Sequence, residues 1–171
     1  FGMRVLALRR SAGRADQGYA PADTGDPEGI LPERIYGPDS LHEMLGECDY
    51  VVIALPLTPD TEHLIGEAEL RAMRPDAYLV NIARGGIVDE AALTLALRQG
   101  WIAGAGLDVF EEEPLPADSP LWDLENVLIS PHVAGFTPRY DERAATLFAE
   151  NLARYLAGER LLNLVDKERG Y

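Results

Sequence analysis

Cysteine occurs once in the 171 residues, at Cys48. No internal disulfide can form, a cysteine-based metal site is not expected, and a reducing, cytoplasmic compartment fits. Basic residues are also scarce, 15 Lys+Arg against 29 Asp+Glu for a net charge of −14. That balance argues against a nucleic-acid surface, because neutralising phosphates needs a basic face, and the acidic excess serves solubility instead. No apolar run reaches membrane-spanning length and no secretory signal precedes the first strand, so neither a membrane nor a metal enters the expected partners. Internal repeats and low-complexity tracts are missing as well. What remains is a chain with 47% hydrophobic residues, enough for one domain with a substantial core and too short for two comfortable ones.

The chain opens on residues 3–8, an apolar strand with nothing before it, which reads as the middle of a larger protein. Residues 11–32 are rich in Gly, Pro and Asp, and a structureless stretch of that length is a lid, a partner-contacting arm or a flexible insertion. From Ser40 the pattern sharpens. Ser40 and Glu43 have capping-box spacing, and Leu41, Met44, Leu45 and Cys48 share one helical face. Residues 50–55 form an apolar strand and 66–74 a short helix stopped at Pro75. Residues 77–82 are again strand, and Asp89 caps a helix that buries Leu93, Ala96 and Leu97 before Gly100 stops it. Strands at 103–109 and 127–129 flank an acidic, proline-bearing stretch, and a last helix spans 138–157. Strands that alternate with helices, each apolar nearly throughout, describe an α/β, Rossmann-like doubly wound parallel sheet covered on both faces.

Three strand ends then carry polar groups to one edge: Arg84, Asp108 with Glu113 beyond it, and His132. Ligands bind at that edge of open parallel sheets. Each residue alone has an ordinary reading: Arg84 as a loop arginine, His132 as a structural histidine, Glu113 as one charge of a solvated acidic run. Together they suit a keto acid. A guanidinium fork anchors its carboxylate, a histidine protonates its carbonyl oxygen, and a carboxylate orients the histidine. His42 and His63 lack such a setting and read as surface residues.

Four segments, residues 55–61, 81–93, 106–115 and 130–135, resemble the signature blocks of the D-isomer-specific 2-hydroxyacid dehydrogenases, in order and in spacing. The likeness covers nearly the whole chain except residues 11–32. It implies Arg84 as the substrate-carboxylate anchor, His132 as general acid/base and Glu113 as its partner. It also implies a cofactor pocket made by Pro56, Thr61, Ile82, Ala83, Arg84, Asp108, His132 and Gly135, with Asp108 facing the nicotinamide amide. Glyoxylate or hydroxypyruvate is the favoured substrate; a short-form phosphoglycerate dehydrogenase and a dinucleotide-sensing, corepressor-like binding module are the alternatives.

The chain departs from the family in lacking its first strand and glycine-rich phosphate-binding turn, so the fold is expected to be incomplete at its N-terminus. Residues 1–136 then make a partial dinucleotide-binding domain, and 137–171 a helix and tail returning toward an absent substrate domain. The fragment alone is expected to be inactive. Arg9 stands where NAD enzymes of the family place an acidic residue against the ribose, followed by Arg10 and Ser11, which favours NADP over NAD. A homodimer of the intact protein is expected, with Leu121, Trp122 and Leu124 as a poor solvent face for a monomer.

Overall fold

The computed structural model describes residues 2–10, 24–26 and 28–168. Ser11 and most of the 11–32 stretch lie outside the described residues. Among the described residues, six parallel strands fall into two sheets. β1 (Leu6–Leu8) pairs with β2 (Arg34–Tyr36), and β3 (Tyr50–Ile53), β4 (Tyr78–Asn81), β5 (Gly104–Leu107) and β6 (Val127–Ile129) follow one another in a second sheet. β2 is absent from the sequence reading: Arg34-Ile35-Tyr36 holds a single aliphatic residue, whereas the equally short β6 is apolar throughout. β1 and β3 each end their sheet, and between them runs an apolar groove of about 610 Å³ lined by Leu6, Leu8, Val51 and Ile53. The strand order reverses there, because the chain runs outward from β1 to β2 and then returns to start β3.

Alternation along the second sheet separates its two faces. Val51, Ile53, Leu79, Asn81, Ala105 and Leu107 are buried on one side. This face packs with Leu70 of α2 (Glu67–Ala72) and Leu93, Ala96 and Leu97 of α3 (Glu90–Gln99) in a single hydrophobic cluster that Leu45 of α1 (Leu41–Leu45) joins. Each fully buried leucine contributes about 1.5–3 kcal/mol. The opposite face is open, contrary to the expected covering on both sides. Tyr50, Val52, Tyr78 and Leu128 are exposed there, Tyr50 stacks on Tyr78 at 5.6 Å, and the Tyr78 ring lies against Gly104. Apolar residues on both sides of a strand show that both sides are suited to burial; they do not supply the covering element.

Most helix boundaries follow the local signals. The Asp89 carboxylate accepts the Ala92 N–H at 2.9 Å, and Gly100 ends α3 with φ 67°. Gly66 caps α2, where the Glu69 carboxylate accepts its N–H at 3.1 Å. The Ser40 capping box does not form: Ser40 closes a 3-10 turn (Pro38–Ser40), and Glu43 instead accepts a 2.7 Å hydrogen bond from Arg34 of β2. A nearby guanidinium is the stronger partner for that carboxylate. The last helix, α4 (Tyr140–Ala157), ends at Gly158 but buries none of its residues; Phe148, Leu152, Tyr155 and Leu156 are all exposed. Leu121 is 1% exposed and Leu124 packs against the core, so of the three residues expected to form a sticky face only Trp122 is exposed. No described helix is long and apolar enough to cross a membrane.

Candidate active site

The parallel register brings the C-terminal ends of β4, β5 and β6 side by side, and the ladder continues beyond them. The Asp108 N–H bonds to the Asn81 carbonyl at 3.0 Å, the Ser130 N–H to the Leu107 carbonyl at 2.9 Å, and the His132 N–H to the Asp108 carbonyl at 2.8 Å. Arg84 leaves β4 through a turn shaped by Asn81. This buried amide accepts the Ala83 N–H at 3.1 Å and donates to the Arg84 carbonyl at 3.0 Å. The Arg84 side chain is exposed, with Nη1 on the Ala83 carbonyl at 2.6 Å. Asn81 opens the stretch read from sequence, yet it carried no assigned role. Its signal is an amide at the end of an otherwise apolar strand, which needs a partner when buried.

Asp108, 3% exposed, organises the histidine loop. Its Oδ1 accepts from the Ser130 hydroxyl and the Val133 N–H, and its Oδ2 from the Ala134 N–H. Burial pushes this carboxyl up, but the hydrogen bonds from Ser130, Ala134 and Val133 and the nearby His132 outweigh it and hold it below the ordinary range. Three of about four lone-pair sites are thereby used, which leaves one acceptor position for an amide N–H. The loop so held places His132 in the left-handed region, φ 56°, with Nδ1 2.7 Å from Glu113 Oε2. Glu113 Oε1 accepts the Phe110 N–H at 3.1 Å. The His132 hydrogen bond is the main reason the Glu113 carboxyl sits below its ordinary value, and burial opposes it; Phe110 N–H and the charges of His132 and Arg84 act in the same downward sense.

The three residues expected to share an edge thus do so: the His132 imidazole meets the Glu113 carboxylate, and the Arg84 charge acts on that carboxylate. Ile82 is exposed at this rim, Ala83 is buried under it, and a Cβ added to Gly135 would meet open space. Farther along, the Thr61 hydroxyl donates to the Pro56 carbonyl at 2.7 Å and so folds the turn after β3. Arg10, at the end of β1, reaches Asp60 of that turn at 3.8 Å. Arg9 packs its guanidinium on Gly29. His63 is exposed as expected but not isolated, since its Nε2 lies 3.1 Å from Glu111 Oε1.

Residues 1–134 match the model of the D-isomer specific 2-hydroxyacid dehydrogenase, NAD binding domain. A glyoxylate reductase of Korarchaeum cryptofilum is 51% identical over 98% of this chain and 46% of its own length. A D-isomer specific 2-hydroxyacid dehydrogenase of Xanthobacter autotrophicus, solved with NADPH and MES, superposes with a TM-score of 0.81 at 41% identity, covering 99% of this chain and 64% of that one. An NADPH-dependent glyoxylate/hydroxypyruvate reductase of Sinorhizobium meliloti, solved with NADP and sulfate, gives a TM-score of 0.81 at 34% identity, covering 99% of this chain and 50% of that one. The chain spans about half the length of the curated relatives it matches. With the fold, the rim and these likenesses in agreement, the chain belongs to the D-isomer specific 2-hydroxyacid dehydrogenases, through their NAD-binding domain.

Proposed function

We propose that the complete protein reduces a small 2-oxo acid, glyoxylate or hydroxypyruvate, to the 2-hydroxy acid, with NADPH preferred to NADH. The observation that carries this reading is the 2.7 Å contact between His132 Nδ1 and Glu113 at the strand edge that also bears Arg84. A nicotinamide cofactor held at this rim would supply the hydride for the substrate's second carbon. Arg84 binds the substrate carboxylate, and a fork of two parallel hydrogen bonds fixes its plane. Glu113 holds His132 by Nδ1, which turns Nε2 toward the substrate to protonate the carbonyl oxygen in reduction and to take that proton back in oxidation. Asp108 secures the loop beneath His132 and offers its remaining acceptor position to the nicotinamide amide.

The substrate class is supported by the relatives' names, and the cofactor preference by Arg9 and Arg10 and by the NADPH and NADP bound in the two solved neighbours. Residues 137–171 return toward the substrate-binding part of the complete protein, a reading supported by α4, which buries none of its residues and exposes Phe148, Leu152, Tyr155 and Leu156. The single cysteine fits a cytoplasmic enzyme. The test is kinetic. His132→Gln in the complete protein should lower turnover of glyoxylate on the order of 10²-fold or more while NADPH still binds. Arg84→Lys should raise KM for the acid, because the charge stays but the fork goes. Wild-type turnover in the histidine variant would remove it from the chemistry.

A further inference from the structure

The turn that carries Glu113 is held from two sides, and only one of them belongs to the proposed reaction. On that side Glu113 meets His132. On the other, Glu111 Oε1 accepts the Glu90 N–H at 3.1 Å and lies 3.1 Å from His63 Nε2. The Glu111 N–H in turn donates to Glu90 Oε2 at 3.3 Å, which makes the clasp with the start of α3 reciprocal. His63 is itself fixed. Its backbone is left-handed at φ 49°, its N–H bonds to the Gly86 carbonyl at 2.8 Å, and Ile65, two residues on, bridges Val88. Both histidines therefore sit in a backbone conformation that side chains rarely adopt, and each grips a carboxylate of the same short turn, two residues apart.

We propose that His63 and Glu111 form a positioning pair that sets the place of Glu113 and, through it, the aim of the His132 imidazole. The inference rests on the His132–Glu113 reading given above. Glu111 and His63 touch none of the groups assigned to the chemistry; they act through the peptide between Glu111 and Glu113. Displacements on the order of 1 Å in a supporting group lower catalytic rates by up to about 10²-fold. A weak, solvent-exposed pair can therefore matter little for stability and still matter for turnover.

The titratable or charged groups that face this turn are His63 from the loop after β3, Glu90 from α3, Glu113 and His132, and Arg84, whose charge acts on Glu113. When the clasp is lost, Glu113 loosens from His132 and its carboxyl rises toward the ordinary carboxylate range. Activity that needs ionised Glu113 is then lost at a higher pH as the solution is acidified.

The experiment uses the complete protein with NADPH and glyoxylate. Glu111→Ala and His63→Ala should each lower kcat about 3–10-fold, with KM for glyoxylate within about twofold and an unchanged melting temperature. Each should also move the acid limb of the kcat profile upward. Glu111→Gln, which keeps an acceptor for the Glu90 N–H, should recover most of the loss, and the double alanine variant should be no slower than the slower single one. Wild-type kcat and pH profile in both single variants, with His132→Gln inactive, would overturn this proposal alone. An active His132→Gln would overturn the reading beneath it and the proposal with it.

Discussion

Gly85 is the residue at which Arg84 and the Glu113 turn are brought together. A Cβ built on it would fall on the backbone carbonyl of Phe110, with the Glu111 nitrogen close behind. Only a hydrogen fits there, because neither backbone can give way as a flexible side chain could. Gly86, next to it, would place its Cβ 3.5 Å from the Leu57 side chain, an ordinary contact. Gly85→Ala should therefore cost about 1–3 kcal/mol or more through overpacking, and Gly86→Ala about 0.5 kcal/mol or less; thermal unfolding of the complete protein separates the two. Equal melting temperatures would show that the turns do not press on each other. Arg9 and Arg10 pose the second test at this scale. If they hold a 2′-phosphate, kcat/KM is higher with NADPH than with NADH, and neutralising both narrows or reverses the ratio. An unchanged ratio in the double variant would assign them to other contacts, such as Arg10 with Asp60.

At the level of elements, local chemistry and tertiary contacts compete, and the outcome depends on what else is within reach. Asp89 has no rival for its carboxylate and caps α3, whereas Ser40 and Glu43 have the right spacing but Arg34 takes the glutamate. Asp89→Ala should destabilise by about 0.5–2 kcal/mol, seen as a lower denaturant midpoint with an unchanged slope. No change in midpoint would mean that packing of Leu93, Ala96 and Leu97 alone holds the first turn. Period and punctuation made six segments legible: β3, α2, β4, α3, β5 and α4 fall inside or within a residue or two of the boundaries read from sequence. β2 was not legible, because three residues beside a Pro-rich stretch have no pattern of their own and become a strand only by pairing with β1.

On the scale of the whole molecule, two sheet edges face one groove, and among the described residues one sheet face leaves Tyr50, Val52, Tyr78 and Leu128 exposed. Unpaired strand edges and exposed aromatic and aliphatic side chains are unfavourable in an isolated chain. Trp122 is another exposed apolar side chain, 52% exposed and held in place by a 2.8 Å bond from its indole N–H to the Pro116 carbonyl. The complete protein is expected to be a two-fold homodimer, the commonest closed assembly. Light scattering at micromolar concentration should return twice the mass of one full-length chain, and a single-chain mass would count against the expectation.

What the amino-acid order determined by itself is the local part: which runs are strands, where Asp89, Gly100 and Gly158 start or stop helices, and that Arg84, Glu113 and His132 follow three successive strands. Parallel pairing of apolar strands is enough to bring those residues to one edge. The tertiary structure alone decided the rest. It engaged Asp108 on the loop beneath His132 and paired His63 with Glu111 across a sequence separation that no periodicity encodes. It buried Leu121 and left Leu128 exposed, although both are equally apolar. Burial depends on what packs against a side chain, and that is a property of distant segments meeting in space.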